Sequence, residues 1–192
     1  MPDKKKVPLI ALDVDGVLRP IDPDEKLLAD DPGWERFEVE VTPENWPERR
    51  YLVSPPPHPA TLPLILNPSL HGTWINDLIE RGVEVGWATT WESTANTFLP
   101  PLLGIPELPM AISHEQGDQG RFSETADSWK ARSLAERYIG RPVCWIDDWS
   151  APWKRSWHGR RRDETLVITP HEKVGLTAAQ MSEVDEWVAR FL

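Results

Sequence analysis

Apolar residues along this chain fall into two patterns that alternate. Residues 7–13 form a nearly unbroken apolar run, as expected of a strand buried on both faces. Runs of the same kind occupy residues 83–88, 143–146 and 166–168, and Met110-Ala111-Ile112 reads as a further short strand. Between them the apolar positions take helical spacing. Leu70, Trp74, Ile75, Leu78 and Ile79 make one such stripe, with Gly82 as its stop. A short helix is expected from Glu92 to Leu99, closed by Pro100-Pro101. Another runs from a cap at Asp127 or Ser128 to about Ile139, with Gly140 beyond it. The last begins at Thr177, where Thr177-x-x-Gln180 is a capping box and Met181, Val184, Trp187, Val188 and Phe191 form the apolar face. Strands alternating with helices predict an α/β fold with a doubly wound parallel sheet.

Residues 19–68 break this rhythm. Phe37 to Val41 alternates strictly, as a half-buried strand does, and Arg50 to Ser54 is the expected hairpin partner, ended by Pro55-Pro56-Pro57. Leu62 to Leu66 reads as another short strand. Many of the 20 prolines gather here, which implies stiff connections and a small flap or cap rather than a second large domain. The expected organisation is one domain over residues 1–192 carrying this proline-rich insert.

The formal net charge of −10 argues against a general polyanion-binding surface, while leaving room for a local basic patch. Cys144 is the only cysteine, so an internal disulfide and a cysteine metal site are both excluded, and a reducing, cytoplasmic location is expected. Lys4-Lys5-Lys6 precedes an apolar run that Asp13 cuts short of a signal-peptide core, and no stretch reaches transmembrane length. No membrane partner is expected. The 11 tryptophans read first as packing residues.

The strand ends carry the chemistry. Asp13 and Asp15 close the first strand, Thr89 and Thr90 the second long one, and Asp147 and Asp148 the run at 143–146, while Lys130 opens a helix. A parallel sheet brings those ends to one edge, where ligands of open α/β sheets collect. A lysine in the first turn of a helix opposes the helix dipole, which points to a specific anionic partner. Carboxylates in this number are hard oxygen ligands suited to Mg²⁺, with no histidine or cysteine cluster to favour zinc. With the cation, one aspartate can attack phosphorus, a second can move the proton, and a hydroxyl and an ammonium can hold the phosphoryl oxygens.

Asp13-Val14-Asp15-Gly16-Val17, a threonine after the second strand, a lysine and a terminal acidic pair occur in the order of the four motifs of the haloacid dehalogenase (HAD) superfamily, which residues 7–170 resemble outside the insert. The resemblance implies a Rossmann-like three-layer α/β/α core. It makes Asp13 the nucleophile, Asp15 the general acid/base and Thr89 the phosphate-binding hydroxyl, with Thr90 as the alternative one residue on. Lys130 is the phosphate-neutralising lysine. Asp13, Asp15, Asp147 and Asp148 form the metal set, with Asp148 the best match to the metal-ligating aspartate, Asp147 a second ligand or its support, and the Val14 carbonyl completing the shell. An aspartate at position 15 is the mark of the phosphatase branch. Trp87 to Glu92, Ala95-Asn96 and Gly175-Leu176-Thr177 further resemble a HAD group found as domains of Swiss-Army-knife RNA-repair proteins, which implies phosphate removal at nucleic-acid ends.

After Asp148, Trp149, Trp153 and Trp157 recur every four residues among Lys154, Arg155, Arg160, Arg161 and Arg162. The tryptophans read as a stripe packed on the sheet. Arg160 and Arg161 are candidate contacts to substrate phosphate, and the aromatic and basic mixture suits unpaired bases. The resulting expectation is a Mg²⁺-dependent phosphohydrolase acting through an aspartyl-phosphate on a phosphomonoester, its substrate a nucleotide or nucleic-acid end. The alternatives are a catalytically silent HAD-fold binding protein and a phosphotransferase to an acceptor other than water.

Overall fold

The structure, a computed structural model, describes residues 7–23, 26, 33–46, 60–114, 126–153, 157, 161 and 163–192. Four parallel strands make the central sheet: β1 (Leu9–Leu12), β4 (Glu84–Trp87), β5 (Val143–Ile146) and β6 (Thr165–Ile168), in the order β4-β1-β5-β6. A separate antiparallel ribbon pairs β2 (Glu35–Val41) with β3 (Ala60–Leu66). The helices are α1 (Thr73–Glu80), α2 (Thr94–Leu103), α3 (Ala126–Arg137) and α4 (Ala178–Val188).

Side-chain alternation divides the sheet between two cores. Ile10, Leu12, Val85, Trp87, Cys144 and Ile146 face Trp74, Ile75 and Leu78 of α1, Phe98 and Leu99 of α2, and Met181, Val184 and Trp187 of α4. Leu9, Ala11, Val143, Trp145 and Val167 face Trp129, Ala131 and Leu134 of α3 and Trp157. The sheet is therefore covered on both faces, giving a three-layer α/β/α arrangement. Val41, Leu64 and Leu66 of the ribbon join the first core. Among the described residues, no helix is long and apolar enough to cross a membrane.

Several expected elements take a different form. The partner of β2 is Ala60–Leu66, which includes the stretch read as a separate strand; residues 50–54 lie outside the described residues. Pro63 sits opposite Glu38, tolerated because each strand of a two-stranded ribbon has an unpaired side. α2 does not close at Pro100-Pro101 but runs through both to Leu103, ending at Gly104 with φ +67°. Burial of Phe98, Leu99 and Leu103 outweighs the two missing N–H donors. Met110-Ala111-Ile112 forms only a one-residue bridge to Trp87, fixed by Trp87 N donating to Pro109 O and Ala111 N to Trp87 O. The helix before β4 begins with a π-helical turn at Pro68–Gly72. The capping box at the start of α4 forms as expected, Thr177 Oγ1 accepting from Gln180 N and Gln180 Oε1 from Thr177 N.

Candidate active site

Register builds the site. Leu12, Trp87, Ile146 and Ile168 are level at the carboxyl ends of their strands. The ladder continues for one more residue, with Asp13 N donating to Ile146 O at 3.0 Å and Asp147 N to Ile168 O at 3.2 Å. Asp13 and Asp147 thus stand side by side. Each continues the alternation of its strand's α3-facing side, Leu9-Ala11-Asp13 and Val143-Trp145-Asp147. Lys130 on α3 meets them there, its Nζ 2.5 Å from Asp13 Oδ2 and 2.8 Å from Asp147 Oδ2. All three residues are buried. The anionic partner expected for a lysine at that end of a helix is this pair of carboxylates.

The loop after β1 brings in the third acid. Leu18 N and Arg19 N both donate to Val14 O, and Gly16 N donates to Arg19 O, so residues 14–19 fold tightly back. Gly16 has φ +70°, a left-handed conformation that glycine adopts without penalty. A Cβ there would lie 2.3 Å from Asp148 Cγ, so the missing side chain is what admits the Asp148 carboxylate. Asp13, Asp147 and Asp148 each offer an oxygen within 4.8 Å of the others.

Charge in this cluster is unbalanced: three carboxylates face one ammonium. Burial and the charge of Asp147 push the Asp13 carboxyl up to about 7, against the opposing pull of Lys130. Burial, again with Asp147, pushes Asp148 up to about 6. Lys130 is desolvated, which lowers its pKa, but Asp13 and Asp147 outweigh this and hold it above its usual value. A divalent cation fits the donor set, since it is matched by hard oxygens and removes the two excess negative charges.

Asp15 is not one of the three, though it is near enough that its charge helps to raise Asp148. Its Oδ1 accepts from Arg19 Nη1 at 2.7 Å and its Oδ2 from Trp91 Nε1 at 2.8 Å. Expected as a fourth metal ligand, its carboxylate is not brought together with those of Asp13, Asp147 and Asp148. The Val14 carbonyl accepts from Val17 N, Leu18 N and Arg19 N within the loop. Thr89 is fully buried one residue beyond Ala88, which donates to Leu12 O, so it lies next to the loop after β1. Its Oγ1 accepts from Trp91 N at 3.2 Å and keeps its own proton to donate. Thr90 is half-buried. Among the described residues, no hydrogen bond joins either threonine hydroxyl to Asp13, Asp15 or Lys130.

Two expectations about the segment after Asp148 fail. Arg161 is not a phosphate contact: its guanidinium donates to Leu134 O, Tyr138 O and Arg141 O, satisfying carbonyls at and just beyond the end of α3. Arg160 lies outside the described residues. The tryptophans do not form one stripe, because Trp157 is buried against Trp145 while Trp149 is 61% exposed. Trp149 sits within a tight turn at the end of β5, with Ser150 N donating to Asp147 O and Trp149 N to Asp147 Oδ1.

Four residues near the site were not read from the sequence as its supports, although Trp91 and Glu92 lie in the run Trp87 to Glu92. Arg19 and Trp91 hold Asp15. Glu92, at φ +53°, is buried and accepts from Ser113 Oγ at 2.5 Å and His114 N at 3.0 Å. Burial raises its carboxyl, but the hydrogen bonds from His114 and Ser113 prevail and lower it. The His114 ring stacks on Trp129 at 3.7 Å, bracing the loop after β4 against α3 beside Lys130. An isolated Glu-x-Thr or Ser-His pair has no spacing that announces such a contact. Asn96 joins Trp87 Nε1 to the backbone of Leu108, which assigns it a structural part.

No protein-family model matches this chain, and comparison with curated proteins and with solved structures gives no match.

Proposed function

We propose that this protein is a Mg²⁺-dependent phosphohydrolase of the HAD type. The observation that carries the reading is Lys130 bridging Asp13 and Asp147 beside Asp148, at the carboxyl edge of a parallel sheet. The strand order, with β4 on one side of β1 and β5 and β6 on the other, supports a doubly wound HAD-like core. Asp13, Asp147 and Asp148 would hold the ion, which when bound supplies positive charge to the phosphoryl oxygens.

In this reading an Asp13 oxygen bonds to phosphorus as the ester P–O bond breaks, and Asp15 gives its proton to the departing oxygen. Asp15 then takes a proton from water as the water oxygen bonds to phosphorus and the Asp13–phosphorus bond breaks. Lys130 balances charge on the phosphoryl group, and the Thr89 hydroxyl is the candidate donor to one of its oxygens. Trp149, exposed beside Asp148, supports a phosphomonoester on a nucleotide or nucleic-acid end.

The test is phosphate release from p-nitrophenyl phosphate with Mg²⁺, followed by a panel of nucleotides and oligonucleotide 3′- and 5′-phosphates. Turnover is expected with the wild type and not with Asp13→Asn. Absence of release from every phosphomonoester, by a protein that binds Mg²⁺, would overturn the reading.

A further inference from the structure

Asp15 is held by donors from two different parts of the chain. Arg19 is local, four residues on, and its side chain is 25% exposed. Trp91 comes from the loop after β4 and is 5% exposed. An indole N–H donates and cannot accept, and it does not ionise near neutral pH. It can therefore fix the orientation of a carboxylate without competing for that group's proton. Arg19 belongs to the same tight loop as Asp15, whereas Trp91 ties the carboxylate to a different strand's loop.

The Trp91 ring is in turn held by the insert. Trp46 follows β2, and its ring centroid lies 4.8 Å from that of Trp91 and 5.9 Å from Phe98 on α2. Trp46 is fixed at its own end by a closed turn: Trp46 N donates to Thr42 O, Thr42 N to Asn45 Oδ1, and Asn45 Nδ2 to Glu40 O. A continuous line of contacts thus runs from the β2 end of the ribbon through Trp46 and Trp91 to Asp15.

We propose that Trp91 is the positioning residue for Asp15 and that Trp46 of the insert sets the position of Trp91. The insert then takes part in proton transfer to the leaving group. This rests on the reading of Asp15 as the general acid/base.

Leaving-group dependence tests it. Phenyl phosphate needs a proton on its departing oxygen, whereas 2,4-dinitrophenyl phosphate departs without one. Trp91→Phe keeps an aromatic ring and removes the N–H, and is expected to lower kcat/KM, which reports only the first step, by roughly tenfold or more on phenyl phosphate while changing it less than about twofold on the dinitrophenyl ester. Trp91→His, which retains a ring donor, is expected to recover part of the loss. Trp46→Ala should show the same split, smaller, and Trp46→Phe should not. Equal losses of kcat/KM on both esters, or none on either, would overturn the proposal and assign the tryptophans to packing. Asp13→Asn separates the two levels of inference. If it abolishes both reactions and Trp91→Phe leaves the ratio of the esters unchanged, only the positioning role falls. If the wild type hydrolyses neither ester, both fall.

Discussion

Gly16 and the carboxylate of Asp148 occupy space that a single additional carbon would contest. A Cβ on Gly16 would stand 2.3 Å from Asp148 Cγ and 2.4 Å from Oδ2, on a backbone already at φ +70°. The glycine after the two aspartates thus does more than turn the chain. It lets an acid from a strand end more than 100 residues away close over the loop.

Gly16→Ala should therefore act on both stability and site geometry. The strained backbone costs on the order of 1–2 kcal/mol, read by urea unfolding. Displacing Asp148 should also lower phosphate release by at least about tenfold, since sub-ångström placement governs such steps. Unchanged turnover would mean that Asp148 has no part in the chemistry.

Lys130 is the only described cation bonded to Asp13 and Asp147. Lys130→Met would leave two buried carboxylates uncompensated, a loss of about 3–5 kcal/mol for breaking a buried pair. Thermal melting should show a large fall without Mg²⁺ and a smaller one with it. A variant as stable as the wild type at pH 8 without the ion would contradict the charge balance described above.

The raised carboxyl pKa values of Asp13 and Asp148 fix the sign of a pH effect. Both groups hold their protons more tightly in the folded chain than at the ordinary value of 3.8, up to about 7 for Asp13 and about 6 for Asp148. Between about pH 4 and pH 7 the folded state binds more protons, so the metal-free protein should lose stability as pH rises through that window. Saturating Mg²⁺ favours the ionised forms and should remove the slope. Asp148→Asn should melt higher than the wild type at pH 8 without metal, by on the order of 1 kcal/mol or less, because the group is only half-buried and screened by solvent.

Arg161→Ala should separate stability from activity. Its guanidinium satisfies three carbonyls at and beyond the end of α3, and its loss is expected to cost about 2–3 kcal/mol. Turnover per folded molecule should stay within about twofold of the wild type, as expected of a group outside the site. A raised KM with normal stability would return Arg161 to the substrate.

The four strands of the sheet were legible because each is a short apolar run, and burial on both faces leaves no other use for such a run. The convergence of Asp13, Lys130 and Asp147 was legible for a related reason, since parallel strands end at one edge. The partner of β2 was not. Local alternation reports that a strand is half-buried, but pairing is chosen by which inward face fits the core, and Leu64 and Leu66 supply it. The continuation of α2 through Pro100 and Pro101 was hidden in the same way, because local propensity is weaker than the burial of Phe98 and Leu103.

Side-chain partners divide along the same line. Arg161 sits in a basic run that reads as a phosphate patch, and only the fold shows it turned onto the end of α3. Asp15 ends the same strand as Asp13, yet its carboxylate pairs with Arg19 and Trp91 rather than with Lys130. Which residue types lie at the strand ends can be read from the chain, because the succession of strands and the alternation within them are one-dimensional properties. Which of them touch is visible only in the folded chain, because hydrogen bonds act over about 3 Å and join residues tens of positions apart. Asp13 and Asp15, two residues apart, therefore end with different partners: Lys130 for one, Trp91 and Arg19 for the other.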